Sequence, residues 1–171
     1  MAEAFNERLL PAEKAQRYAA VAQEIAAVLA GEPNLVARMA TVAGMLATSF
    51  DDYFWTGFYV VDPDKADELV VGPYQGTLGC LRIAFGRGVC GTAAATGQTQ
   101  IVEDVNAIPN HIACDARSQS EIVVPVRDAD GKLIAVFDVD SERPAAFDAL
   151  DAEWLERILG QVFGHVDANV T

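Results

Sequence analysis

The sequence has little cysteine and histidine, which excludes the familiar disulfide and zinc frameworks. Three cysteines occur, Cys80, Cys90 and Cys114, and their odd number argues against a static disulfide scaffold. No Cys-x-x-Cys pair is present, and the two histidines, His111 and His165, lie far apart. A closed zinc site made from Cys and His would lack its usual paired spacing, so we expect no bound metal.

Positive charge and long apolar runs are also scarce. Lys and Arg number 12 against 25 Asp and Glu, which gives a formal charge of −13. Phosphate backbones and anionic membranes attract basic surfaces, so we expect neither nucleic acid nor membrane as a partner. Residues 1–11 lack the basic start and apolar run of a secretory signal, and no stretch approaches the roughly 20 apolar residues that span a bilayer. These absences predict a cytoplasmic protein, in a compartment that keeps thiols reduced.

The residues that are present predict one domain over 1–171, with about 1–10 as a flexible N-terminus. Apolar residues at helical spacing indicate two N-terminal helices, the first ending at Gly31 and the second capped by Asn34. A further apolar face at helical spacing indicates a C-terminal helix, with Asp148 or Asp151 as its cap.

Between these helices, runs of aromatic and β-branched residues are typical of strands. They lie at 55–61, 69–71, 81–85, 100–102, 122–126 and 133–139, with a short helix at 91–96, a long loop over 106–117 and a hairpin turn at 128–131. The order predicts an α+β fold, in which two N-terminal helices and a C-terminal helix pack on a mostly antiparallel central sheet.

The three cysteines stand in unlike surroundings. Cys80 opens a predicted strand, and Cys90 follows a glycine-rich segment at 86–88. Free cysteine is often a small buried hydrophobe, so the residues alone leave open whether these two are core or reactive. Cys114 lies in a polar stretch of the long loop, where packing explains it less well, and a reactive thiol is favoured there.

Acidic and aromatic residues form a second set of candidates. Asp138 and Asp140 are two apart on one predicted strand and therefore share a face, while Val139 points to the other. The pair is either a solvated strand end or a carboxylate pair at a ligand site, where one member keeps a proton because its neighbour is charged. Trp55 and Tyr59 likewise share a face, as ordinary core or as the wall of a small pocket.

Longer motifs around these residues resemble a known family, the free methionine-(R)-sulfoxide reductases, which are stand-alone GAF domains. The matching segments are Trp55-Thr56-Gly57-Phe58-Tyr59, Gly72-Pro73-Tyr74-Gln75-Gly76, Gly86-Arg87-Gly88-Val89-Cys90-Gly91-Thr92-Ala93, His111-Ile112-Ala113-Cys114-Asp115, Ser118-Gln119-Ser120-Glu121-Ile122-Val123 and Asp138-Val139-Asp140-Ser141. The spacing of the three cysteines is similar to the family's as well. The fold that the resemblance implies is GAF-like.

The resemblance implies a role for each candidate residue. Cys114 would be the attacking thiol and Cys80 its resolving partner, with Cys90 an auxiliary thiol or simply core. The acidic residues would hold the substrate amine and the sulfoxide oxygen, and the aromatic residues would enclose the methyl-sulfur end. The acidic set is Glu121, Asp138 and Asp140, and the aromatic set is Trp55 and Tyr59. Residues 64–68 look like an insertion that lengthens a hairpin away from the site.

The implied reaction is reduction of free methionine sulfoxide by thiol chemistry. The Cys114 thiolate attacks the sulfoxide sulfur while a protonated carboxyl donates to the oxygen. We expect the most desolvated of the three carboxyls to keep that proton and choose Asp140 for it, with Glu121 and Asp138 holding the amine. Cys114 becomes a sulfenic acid, Cys80 condenses with it, and an external dithiol, expected to be thioredoxin, reduces the disulfide. No metal or organic cofactor is required, and a homodimer is expected from the family.

Two rival functions fit the same fold. One is a GAF sensor that binds a small ligand without catalysis, although such sensors are normally coupled to an output domain, for which this chain has no room. The other is a redox-sensing interaction protein that signals by disulfide formation. Turnover of free methionine sulfoxide with thioredoxin separates the three, because both rivals predict none.

Overall fold

The predicted α+β fold is confirmed by the structure, a computed structural model that describes residues 9–109 and 114–166. The elements are α1 Pro11–Val28, α2 Leu35–Ser49, β1 Trp55–Asp62, β2 Lys65–Gln75, β3 Arg82–Ala84, α3 Gly88–Thr96, β4 Gln100–Val102, a 3₁₀ turn Val105–Ala107, β5 Ser120–Arg127, β6 Leu133–Ser141 and α4 Ala149–Phe163. The six strands form one sheet in the order β3-β2-β1-β6-β5-β4, and the pairs between neighbours are antiparallel.

The sheet has two differently covered faces because side chains alternate along its strands. On one face, Phe58, Phe137 and Val139 are fully buried in a large core that α1, α2 and α4 complete. On the other face, Tyr59 and Val136 belong to a smaller core beneath α3. The alternation predicted for β6 is therefore confirmed, and its two aspartates lie on the face that carries α3.

A buried polar network ties α1 to α4 within the larger core. Asp151 is fully buried, and it accepts hydrogen bonds from Lys14 Nζ at 2.5 Å and Tyr18 OH at 2.7 Å. Tyr18 OH is in turn 2.5 Å from Tyr53 OH. Because a charge taken out of water is costly unless it is paired and hydrogen-bonded, each member of this network depends on the others.

Both predicted helix caps are present. The Asn34 side chain accepts a hydrogen bond from the backbone of Ala37 at the start of α2. At α4 both proposed residues take part, because Asp148 is the N-cap and Asp151 completes a capping box. Within the described ranges no helix is long and apolar enough to cross a membrane.

The β1–β2 hairpin is longer than the sequence predicted. Strand β2 runs through Pro73, which is tolerated because the register shifts between Gly57 and Tyr59 on the partner strand. At its other end Lys65 pairs with Asp62, so residues 64–68 lengthen the hairpin, as expected.

The glycines before α3 serve backbone geometry. Gly86 and Gly88 have φ values of 79° and 60°, in the left-handed region that side chains disfavour. A Cβ on Gly91 would lie 2.4 Å from the carbonyl oxygen of Ala84, so this helix packs directly on the end of β3. The helix consequently begins at Gly88, three residues earlier than predicted, and brings Cys90 inside its first turn.

Candidate active site

A pocket lies on the α3 side of the sheet and collects the residues that the sequence singled out. Its lining includes seven of the eight predicted site residues: Trp55, Tyr59, Cys90, Cys114, Glu121, Asp138 and Asp140. The eighth, Cys80, forms a disulfide with Cys114. The sequence-predicted constellation therefore meets at one place, although its members are spread over three strands, a helix and two loops.

The disulfide joins two loops that are 34 residues apart in the chain. The Cα atoms of Cys80 and Cys114 are 5.5 Å apart. Cys80 is half-buried and lies in the loop before β3, which begins only at Arg82; its predicted position at the start of a strand is wrong. Cys114 is exposed, as a thiol that meets solvent-borne reagents must be. His111, predicted near it, lies outside the described residues.

A polar clamp holds the same two loops together independently of the disulfide. We define the clamp as Thr77, Asp115, Arg117 and Phe54. The Thr77 hydroxyl donates to Asp115 Oδ2 at 2.8 Å, Arg117 donates to both oxygens of Asp115, and its guanidinium lies 4.6 Å from the Phe54 ring centroid. Hydrogen bonds from Arg117 hold the pKa of Asp115 well below its usual range.

The three carboxylates are neighbours across the β5–β6 pair. Glu121 is directly opposite Asp140, and Asp138 lies two residues along β6 on the same face. Glu121 and Asp138 are each only 5% exposed, and Oδ1 of Asp138 has no hydrogen-bond partner within 9–109 and 114–166. Burial, and then the charge of Asp140, raises the pKa of both groups well above the usual range. One pocket thus gathers two carboxyl groups whose protonated forms are favoured by their burial.

Asp140 differs from the other two carboxylates in its exposure. It is only partly buried, and its Oδ1 accepts a hydrogen bond of 2.7 Å from the Ser118 hydroxyl. The sequence argument gave the retained proton to the most desolvated carboxylate and chose Asp140 for it. By the same criterion the structure favours Glu121 and Asp138.

Cys90 is buried and belongs to the smaller core, yet it also lines the pocket. Its thiol donates a long hydrogen bond of 3.9 Å to Glu121 Oε1. Burial, together with the charges of Asp138 and Glu121, raises the pKa of the Cys90 thiol well above its usual range. A protonated thiol is a weak nucleophile, so Cys90 is poorly suited to the attacking role.

An aromatic wall closes one side of the pocket. Trp55 stacks between Tyr59 and Tyr74, with centroid distances of 5.5 Å and 5.0 Å, and its indole N–H donates to the Thr77 carbonyl. A Cβ on Gly79 would lie 3.0 Å from both Trp55 and the Tyr59 hydroxyl, so the loop that carries Cys80 rests directly on the wall.

Sequence reasoning missed Arg87, Phe54 and Ser118 as residues of the site, although all three line the pocket. Arg87 is the N-cap of α3 and supplies a cation at the helix end that already favours negative charge. Arg87 and Ser118 lie inside the segments that resemble the family, and this position was the one sign in the sequence that they belong to the site.

Comparisons with known proteins agree on the type of domain. A family model described as GAF domain matches residues 36–163. The free methionine-R-sulfoxide reductase of Escherichia coli is 40% identical over 87% of this chain and 88% of its own length. The Saccharomyces cerevisiae protein of the same name is 43% identical over 75% of this chain and 73% of its own length. The structure of the Neisseria meningitidis enzyme of that name, solved with its substrate, is 49% identical with a TM-score of 0.82 and covers 87% of both chains.

Proposed function

This chain belongs to the free methionine-(R)-sulfoxide reductase family of GAF domains, and on that premise we propose that it reduces free methionine (R)-sulfoxide to methionine. One observation carries the proposal: a disulfide between Cys80 and Cys114 borders a pocket that also holds buried carboxyl groups. Sulfoxide reduction needs both, because a thiol must accept the oxygen and a proton must reach it.

In the first step the Cys114 thiolate attacks the sulfoxide sulfur. The sulfur–oxygen bond of the substrate breaks, methionine leaves, and the oxygen ends on Cys114 as a sulfenic acid after gaining one proton. The exposure of Cys114 supports this role, because the substrate arrives from solvent.

In the second step the Cys80 thiol displaces the oxygen from Cys114. A disulfide forms and one water leaves, so the two electrons that reduced the sulfoxide come from the two thiols. A dithiol reductant of the thioredoxin type then exchanges with the disulfide and returns both cysteines to thiols.

The proton for the sulfoxide oxygen comes from the Glu121–Asp138 pair in this scheme. The raised pKa values of these two carboxyls support it, because a raised pKa favours the protonated form that a proton donor needs. Asp140, our choice from the sequence, stays a candidate for the same role. In the scheme preferred here, Asp140 holds the substrate ammonium at the less buried edge of the pocket.

The substrate carboxylate needs a positive partner, which the carboxylate cluster does not offer. Arg87 and the N-terminus of α3 border the same pocket and supply that partner. With the ammonium on one side and the carboxylate on the other, the methyl-sulfur end faces the wall of Trp55 and Tyr59. Both charged groups exist only on a free amino acid, so protein-bound methionine sulfoxide should be a very poor substrate.

The decisive experiment assays both epimers of methionine sulfoxide, free and within a peptide, with thioredoxin as reductant. We expect turnover of the free (R)-epimer alone, with the Cys80–Cys114 disulfide found by mass spectrometry when reductant is withheld. No turnover of any form would favour the sensor or redox-signalling alternatives, and equal rates on free and peptide-bound sulfoxide would contradict the binding scheme.

Single-turnover kinetics of E121Q and D140N assign the acid. An amide still hydrogen-bonds but delivers no proton, so the variant that removes the acid should slow sulfenic acid formation by about 10²–10⁴-fold. We expect this loss in E121Q, and in D140N a fall in substrate affinity with the chemical step largely kept. The reverse pattern would assign the role of proton donor to Asp140.

A further inference from the structure

One residue that lines the pocket, Cys90, is not used by the proposed reaction. Cys90 is buried beside Glu121 and Asp138, and one potential ligand atom from each of the three lies within 4.8 Å of the others. Proton donation to the sulfoxide oxygen explains the Glu121 and Asp138 carboxyls, but it has no need of the Cys90 sulfur atom. The combination of one thiol and two carboxylates is instead a donor set that a thiophilic divalent cation accepts.

We propose that Cys90, Glu121 and Asp138 form a binding site for a zinc-class divalent cation, and that the cation competes with the substrate because both use the Glu121 and Asp138 carboxyls. Asp138 is an independent sign of a missing partner, because its Oδ1 is buried and makes no hydrogen bond to any residue that the structure describes. A buried polar atom without a partner is costly, and a cation would provide that partner.

The geometry suits three protein ligands and one open position. Zinc holds thiolate sulfur at about 2.3 Å and carboxylate oxygen at about 2.0–2.2 Å, so three ligand atoms this close need only small side-chain movements to meet around one ion. The pocket supplies the fourth position to water, as in open zinc sites. Binding displaces the Cys90 thiol proton and any proton that the Glu121–Asp138 pair holds, and these protons leave to solvent as the bonds to the metal form.

The disulfide state isolates this site for measurement. Because the chain has three cysteines and two are paired, Cys90 is then the one remaining thiol. Oxidised protein is titrated with Co²⁺ in metal-free buffer while thiolate-to-cobalt charge transfer and the visible d–d bands are recorded. We expect one equivalent to bind with a single thiolate ligand and Zn²⁺ to displace it.

Variants separate the proposed ligands from other sites. C90S should abolish the charge-transfer band, and D138N and E121Q should each weaken Co²⁺ binding by roughly 10-fold or more. D130N, which alters an exposed turn residue, is the matched control and should bind like the wild type. Absence of the band in the oxidised wild type, its persistence in C90S, or unchanged affinity in D138N and E121Q with native circular dichroism would each overturn the proposal.

Steady-state kinetics test the competition between the cation and the substrate, and this test rests on the proposed function. Zn²⁺ should raise KM for methionine sulfoxide and leave kcat unchanged, with a smaller effect in D138N than in D130N. If no sulfoxide is turned over, the proposed function fails while the cobalt titration still decides the metal site. Cobalt binding together with inhibition that lowers kcat alone would overturn the competition between the cation and the substrate.

Discussion

At the scale of single residues, the two cysteines of the disulfide differ in exposure. Cys114 is exposed and Cys80 half-buried, a difference that suits an attacking and a resolving thiol. C114S should abolish turnover, because a hydroxyl does not replace a thiolate nucleophile at neutral pH. C80S should release about one methionine per active site and then recycle poorly with thioredoxin. Methionine release in a single turnover, followed by steady-state rates, measures both. Normal steady-state rates in C80S would move the resolving role to Cys90.

The buried Asp138 carboxyl makes stability depend on pH. Its pKa is raised in the folded chain, so the folded state keeps a proton that the unfolded state releases, and stability falls as pH rises from the ordinary pKa to the raised one. D138N removes this loss. The Tm of D138N should exceed that of the wild type at neutral pH. This difference in Tm should shrink below about pH 4, where Asp138 is protonated in the unfolded chain as well.

Thermal unfolding of the wild type and D138N from acid to neutral pH measures this effect, with exposed Asp130 substituted in D130N as control. A gain of about 1 kcal/mol moves Tm by roughly 2–4 °C in a chain of this size. A difference in Tm that does not change with pH would show that folding does not shift the pKa of Asp138.

The residue scale also shows what could be predicted from the sequence. A strand's alternation placed Asp138 and Asp140 on one face, and the structure confirms it. Which carboxylate is most desolvated could not be predicted, because burial depends on α3 packing over the sheet and on Ser118 from another loop.

At the scale of elements, the polar clamp acts on the two cysteine loops. It links Thr77, three residues before Cys80, to Asp115, directly after Cys114. In the reduced protein no covalent bond joins these loops, so we expect the clamp to keep the two thiols near one another. D115N removes the charge that Arg117 holds, and T77V removes the hydroxyl donor.

Both clamp variants should slow disulfide formation after the first turnover and leave the initial release of methionine nearly unchanged. Quenched-flow measurement of methionine, followed by mass spectrometry of the trapped cysteines, separates the two steps. D130N again serves as the control outside the clamp. Equal loss in both steps would mean that the clamp supports the whole pocket and does not position the cysteines.

Regular elements were predicted better than the loops between them. Helical and strand periodicities gave the main helices and the sheet because each has one buried face. Loop positions were less predictable, since the loop of Cys80 is fixed by contacts with Trp55 and Asp115 that are distant in the chain. The pairing of Cys80 with Cys114 came only from the family resemblance, because three cysteines allow three pairings.

At the scale of the whole molecule, the sheet separates the site from helices α1 and α2, where we expect the interface of the predicted homodimer. Helices α1 and α2 cover the face opposite the pocket, and each carries an exposed valine, Val28 and Val36, at 62% exposure. The homodimer stays a prediction, and sedimentation should give about twice the mass of one 18.3 kDa chain.

The double variant V28E/V36E tests the interface, because paired charges at an apolar contact oppose association. It should shift the mass toward one chain, whereas L81E, on the pocket side, should not. A wild-type monomer at micromolar concentration would contradict the dimer.

The aromatic wall gives this protein an optical reporter of its own chemistry. The chain has two tryptophans, and Trp55 borders the pocket while Trp154 stacks near Tyr18 on the opposite face of the sheet. Disulfides quench nearby indole emission, so in W154F the remaining emission should fall as Cys80 and Cys114 join and recover as thioredoxin reduces them. Stopped-flow fluorescence would then time each half of the catalytic cycle without an added dye. W55F keeps only the distant Trp154, so its emission should not change during the cycle.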